Sequence, residues 1–179
     1  MQTRTIRHSA GQIGSLDVPC SQLVPLIIQC LARGSSVRMT VKGSSMLPFI
    51  RGGDTVELSK IAPQGPQIGR IYLARMDCGR YAIHRLVCIK QDGMAVLQGD
   101  NNPAPDPPVP ISNVVAELTY VIRNGRKINP YRGMYWLLTR AWLTTKPLSL
   151  RFIGIRKKTL RLVRHILQCI GAFSGVHKS

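Results

Sequence analysis

Two incompatible periodicities divide this chain, and they limit what it can fold into. Val37, Met39 and Val41 alternate with Arg38, Thr40 and Lys42, the pattern of a strand with one face buried. Short segments of strand-forming composition recur after it: Thr55 to Leu58, Ile68 to Arg75 with Ile71 and Leu73 on one face, Arg80 to Lys90, Met94 to Gln98, and Val114 to Ile122. Turn signals separate them, namely Gly52-Gly53-Asp54, Gln91-Asp92-Gly93 and finally Asn124-Gly125. Short strands so closely punctuated predict an all-β unit over residues 35–123.

On either side the period is helical. Residues 1–18 read as a loose lead-in, broken by Gly11, Gly14 and Ser15. Ser21 can cap a short helix reaching about Ala32, with Pro25 tolerated near its start and Arg33-Gly34 as its stop. Beyond 124, Met134 to Thr144 predicts a helix that Lys146-Pro147 interrupts. Ile155 to Ile170 predicts a second. Its Leu160, Leu162, Val163, Ile166, Leu167 and Ile170 lie opposite Lys157, Lys158, Arg161, Arg164, His165 and Gln168. The expected organisation is a lead-in and helix over 1–34, a β domain over 35–123 and a helical extension over 124–179.

Composition sharpens the division. The formal charge is +17, yet all eight Asp and Glu lie before residue 123, and thirteen Lys and Arg follow with no acid among them. Such a block suits anionic lipid, an acidic protein or nucleic acid. Aromatic residues make up 6% and do not interleave with the basic run, so no base-stacking platform and no specific nucleic acid are expected. The split faces of 155–170 are the form of an interfacial helix, which suggests peripheral contact with anionic membrane. The same helix can instead pack its apolar face on the β domain. No secretory signal and no uninterrupted span of about 20 apolar residues is present, so a cytoplasmic or peripheral-membrane location is expected. Cys20, Cys30, Cys78, Cys88 and Cys169 form no CxxC pair; reduced thiols are expected, with no metal or other cofactor.

Three segments can carry chemistry. In Gly43-Ser44-Ser45-Met46-Leu47-Pro48 a serine follows a strand directly, in a turn that can expose backbone N–H groups. In Tyr81-Ala82-Ile83-His84-Arg85-Leu86-Val87 alternation puts His84 with Ala82 and Leu86 on the cleft or inward face and Arg85 outside. A neutral imidazole can take a hydroxyl proton near neutral pH. In Gly99-Asp100-Asn101-Asn102-Pro103-Ala104-Pro105-Asp106 a proline-stiffened loop offers two carboxylates, either of which can orient an imidazole.

These segments, with Gly53-Asp54 between the first two, resemble the ordered boxes of the signal peptidase and LexA-type superfamily: G-x-S-M-x-P, G-D, H-R on a strand and G-D-N-N. The resemblance covers roughly residues 37–122. It implies a small coiled, barrel-like β peptidase domain and a serine endopeptidase that cleaves a precursor or leader peptide. Histidine at position 84, where bacterial members carry lysine, is similar to the archaeal and endoplasmic-reticulum branch. The resemblance implies Ser45 as nucleophile, His84 as general base, Asp106 as triad acid and Asp100 in support. Gly43 replaces a serine whose hydroxyl often completes the oxyanion hole. The Ser45 N–H and another donor, the Ser44 hydroxyl being one candidate, must then serve. The membrane anchor usual in signal peptidases is not seen, and Pro105-Asp106 stands where the reticulum enzymes carry paired aspartates. Two other readings compete. One is a LexA-like regulator that cuts itself at Ala10-Gly11, although ten residues before that bond cannot hold a DNA-binding helix-turn-helix. The other is a non-enzymatic basic module for lipid or nucleic acid.

Overall fold

The computed structural model describes residues 3–4, 6–7, 18–151, 163, 165 and 166. The chain divides into two compact units, Met1–Ile128 and Asn129–Ser179. The first is mainly β, and its strands are β1 (Thr3–Arg4), β2 (Ile6–Arg7), β3 (Val18–Pro19), β4 (Val37–Thr40), β5 (Thr55–Ser59), β6 (Ile71–Arg75), β7 (Tyr81–Ile89), β8 (Met94–Gln98), β9 (Val109–Pro110), β10 (Val114–Arg123) and β11 (Arg126–Ile128). Helix α1 (Cys20–Ala32) precedes β4.

Nine strands join in one antiparallel sheet, ordered β2-β4-β5-β10-β6-β7-β8-β9, with β11 also on β10. The sheet curls into a half-barrel. The long strand β10 produces the curl. Glu117 pairs with Ser59 of β5 on one edge and with Tyr72 of β6 on the other. The register slips between Val114 and Ala116 on the β6 side and between Leu118 and Tyr120 on the β5 side. Such bulges tighten the right-handed twist and bend the strand.

The curl gives the sheet two packed faces. One core joins Leu23, Ile27 and Leu31 of α1 to Met39, Val56, Leu58, Ile71, Leu73, Leu118 and their neighbours. A second joins Tyr72, Ala74, Leu86, Ala95, Leu97, Val109 and Val114. Strand β6 is therefore buried on both faces, with Ile71 and Leu73 in the first core and Tyr72 and Ala74 in the second.

Several expectations change. The β6 strand begins at Ile71, not Ile68, because Gly69 adopts φ +90° and Ile68 is exposed. Part of the lead-in is paired: β1 with β3, and β2 with the edge of β4. Helix α1 begins at Cys20, one residue before the expected cap Ser21. The β unit does not close at Asn124-Gly125, because β11 returns beyond that turn to pair with β10. In the second unit α2 (Gly133–Arg151) continues past Lys146-Pro147. A proline removes one intrahelical bond and crowds the carbonyl four residues back, which disfavours a helix without forbidding it.

The bond Ala10-Gly11 and most of the 155–170 helix lie outside the described residues. Val163, His165 and Ile166 are helical, with Val163 buried and His165 exposed. Among the described residues no helix is long and apolar enough to cross a membrane, and Cys30, Cys78 and Cys88 are free thiols.

Glu57 shows how a charge is held in this sheet. It is buried on β5, accepting from Arg38 Nε at 3.0 Å and from Lys127 Nζ at 2.9 Å. Burial pushes its carboxyl up, but the bonds from Lys127 and Arg38 outweigh that and hold it below the usual range. A carboxylate depressed on folding adds stability above its unfolded pKa, and this is lost as pH falls through the lower folded value. Both partners are substantially exposed, so solvent screening reduces the benefit. Glu57→Gln is expected to cost about 1 kcal/mol near neutrality, with the deficit shrinking below pH ~4. Urea titrations at both pH values check this; an equal deficit at both would rule out the electrostatic origin.

Candidate active site

The site forms where β4 ends. Gly43, at φ +96°, turns the chain out of the sheet in the left-handed region that a side chain rarely adopts. A tight coil follows, with Leu47 N–H donating to Ser44 O at 3.2 Å and Ile50 N–H to Met46 O at 3.0 Å. Met46, Phe49 and Ile50 drop into the interior at 5%, 0% and 3% exposure, anchoring the turn. These apolar residues are core. Ser45, between them and the solvent, stays half-buried.

His84 comes from β7 and is buried. Its Nε2 lies 3.0 Å from Ser45 Oγ, and its Nδ1 lies 2.6 Å from Asp106 Oδ2. Nδ1 donates to the carboxylate, which leaves Nε2 as the acceptor for the serine hydroxyl. Asp106 is fixed through its backbone, its N–H donating to Leu97 O of β8 at 2.8 Å. Three segments separated by dozens of residues thus converge on one line of hydrogen bonds.

Asp100 does something else. It is 1% exposed and takes a bidentate pair from Arg85, Nε to Oδ1 at 2.8 Å and Nη2 to Oδ2 at 2.7 Å, while Arg85 Nη1 donates to Gly69 O at 2.6 Å. Arg85 is therefore buried, at 3% exposure, and does not point outward as simple alternation predicts. A guanidinium can face inward when a carboxylate meets it in fork geometry.

That pair presents the 99–102 loop to the Ser45 turn. Asn101 N–H donates to Ser45 O at 2.7 Å, and Asn101 Nδ2 donates to Ser44 O at 3.2 Å. The approach is so close that a Cβ on Gly99 would stand 2.7 Å from Ser45 O, so only glycine fits. Ser44 is exposed, and what it contributes within the protein is this carbonyl. In a trans peptide the C=O and the next N–H point in opposite directions. Holding Ser44 O therefore directs the Ser45 N–H away from Asn101. Among the described residues the N–H groups of Ser45 and Met46 meet no acceptor.

Sequence reasoning missed two parts of the site, Asn101 and Arg123. Arg123 on β10 donates to both oxygens of Asp54 and to Phe49 O at 2.9 Å, while Arg51 N–H bonds the same carboxylate. Asp54 and Arg123 so pin the far end of the Ser45 turn. The Gly-Asp box marks Asp54, but nothing local marks the residue 69 positions away.

A cleft of about 100 Å³ opens beside Ser45 and His84. Val41 and Gly43 line one side and Tyr81, Ala82 and Ile83 the other. β8 pairs with β7 only from Arg85 onward, so no described strand covers the outer edge of β7 from Tyr81 to His84. Among the described residues no three His, Cys, Asp or Glu side chains converge to hold a metal ion. No protein-family model matches this sequence, and no curated protein matches it either.

The two loop carboxylates should separate experimentally. Asp100→Ala strands a buried arginine and is expected to cost about 3–5 kcal/mol of stability. Asp106→Ala leaves one ring nitrogen of the buried His84 without its partner and should cost less, about 1–2 kcal/mol. Equal losses in thermal unfolding would contradict the division of roles.

Proposed function

We propose that this protein is a serine endopeptidase, similar to signal peptidases of the serine–histidine type, that cleaves a precursor or leader peptide. The observation that carries the reading is the hydrogen-bonded line Ser45 Oγ, His84 Nε2, His84 Nδ1, Asp106 Oδ2, at 3.0 and 2.6 Å, beside an open cleft. Nucleophile, base and orienting acid stand in the order that acyl transfer needs.

The chemistry follows from those atoms. His84 Nε2 takes the hydroxyl proton as Ser45 Oγ attacks a peptide carbonyl. Asp106 holds the ring tautomer and stabilises the imidazolium. The tetrahedral oxyanion is received by the Ser45 N–H, with the neighbouring Met46 N–H as second donor in preference to the Ser44 hydroxyl. The imidazolium then protonates the leaving amine, and water activated by the same ring releases the acyl group. An extended substrate can add its backbone along the uncovered edge at Tyr81–His84, opposite Val41–Gly43. The resemblance implies small residues before the cleaved bond.

Two experiments test the proposal. A fluorophosphonate probe should label the wild type and fail on Ser45→Ala. With a cleaved peptide, His84→Ala should lower kcat/KM by about 10³-fold or more and Asp106→Asn by about 10²–10⁴-fold. Turnover surviving both Ser45→Ala and His84→Ala would sink the proposal. Asn101→Ala should lower kcat about tenfold with KM little changed, because it loosens an oxyanion donor without touching the base; a change confined to KM would argue against that role.

A further inference from the structure

Among its described residues, helix α2 buries only one face. Tyr135, Thr139 and Trp142, spaced by four and three residues, are 7%, 4% and 3% exposed. Away from them Met134, Trp136 and Leu137 are exposed at 53%, 44% and 54%. Three of the seven large exposed hydrophobics among the described residues thus fall within four positions of one helix. A cluster of this kind marks an interaction surface more often than a scatter of single residues does.

The surroundings of the cluster are cationic. The Arg140 guanidinium lies 5.7 Å from the centre of the Trp136 ring, and Arg132 is exposed just before the helix. From residue 123 to the end the chain holds thirteen Lys and Arg and no acid.

We propose that this face of α2 docks on an anionic lipid surface, lying in the plane of the interface with Met134, Trp136 and Leu137 among the acyl chains. Tryptophan suits that boundary, its ring apolar and its N–H polar. Arginine can lay its stem on apolar surface while its head reaches lipid phosphate. At 19 residues and about 28 Å the helix has ample length to lie flat. The charge decides against other occupants. A second copy of this chain would bring acid-free, basic segments face to face and be repelled. Nucleic acid would match the charge, but a lone exposed tryptophan flanked by methionine and leucine is no stacking platform. The proposal is independent of the peptidase reading.

The test uses the full chain and vesicles of phosphatidylcholine, with or without phosphatidylglycerol. The protein should sediment with the anionic vesicles and not with the neutral ones. In a Trp142→Phe background, Trp136 fluorescence should shift to the blue on binding. The exposed-site double variant Trp136→Ser/Leu137→Ser should bind at least tenfold more weakly, and Arg140→Glu roughly tenfold more weakly, while both keep the wild-type circular dichroism and melting temperature. No binding to anionic vesicles would overturn the proposal. So would binding that the double variant leaves unchanged, because attraction would then come from basic charge alone. Concentration-dependent dimerisation abolished by the double variant would assign the face to a second copy instead.

Discussion

The buried pair between Arg85 and Asp100 is the constraint on which the site depends. Two charges out of water are tolerated only when each satisfies the other, and here the fork of one meets both oxygens of its partner. Arg85 is the residue after His84, so the pair fixes the strand that delivers the imidazole. Asp100 is the residue before Asn101, so it also fixes the loop that grips Ser44 and Ser45. A carboxylate that does not touch the imidazole thus helps set the distance between Ser45 and His84.

The curled sheet makes this convergence possible. A flat sheet would keep the end of β4 and the start of β7 apart, because β5, β10 and β6 lie between them. The bulges of β10 bend those intervening strands, so the two ends meet across the cleft lined by Val41, Gly43, Tyr81 and Ala82. Arg123, near the end of the same β10, reaches back to Asp54 and Phe49 O and steadies the Ser45 turn. One strand therefore both shapes the half-barrel and supports the site.

The sequence was readable where physics is local. Alternation at 37–41, the hairpin at 91–93 and the run 94–98 became strands because side-chain period and turn residues decide them within a few positions. It misled where a distant partner rewrote the local rule. Alternation put Arg85 outside, and Asp100 drew it in. Asn124-Gly125 looked like the end of the domain, and β10 still had an edge for β11. Pro147 looked like a stop, and α2 continued. The loop carboxylates shared one stiff segment, and only three dimensions separated the one facing His84 from the one facing Arg85.

What the sequence determined by itself was the inventory: a serine behind a glycine turn, a histidine on a strand, acids on a proline-stiffened loop, and a C-terminal third with no negative charge. Chain connectivity and side-chain chemistry suffice for those. What only the tertiary structure decided was assignment, because hydrogen bonds act over about 3 Å and no spacing along the chain encodes that distance between residues 45, 84 and 106. Asp106 rather than Asp100 meets the imidazole, and Asn101 holds the serine turn. A cluster of exposed apolar residues stands on α2, away from its buried face. Each depends on which surfaces the fold brings together or leaves uncovered.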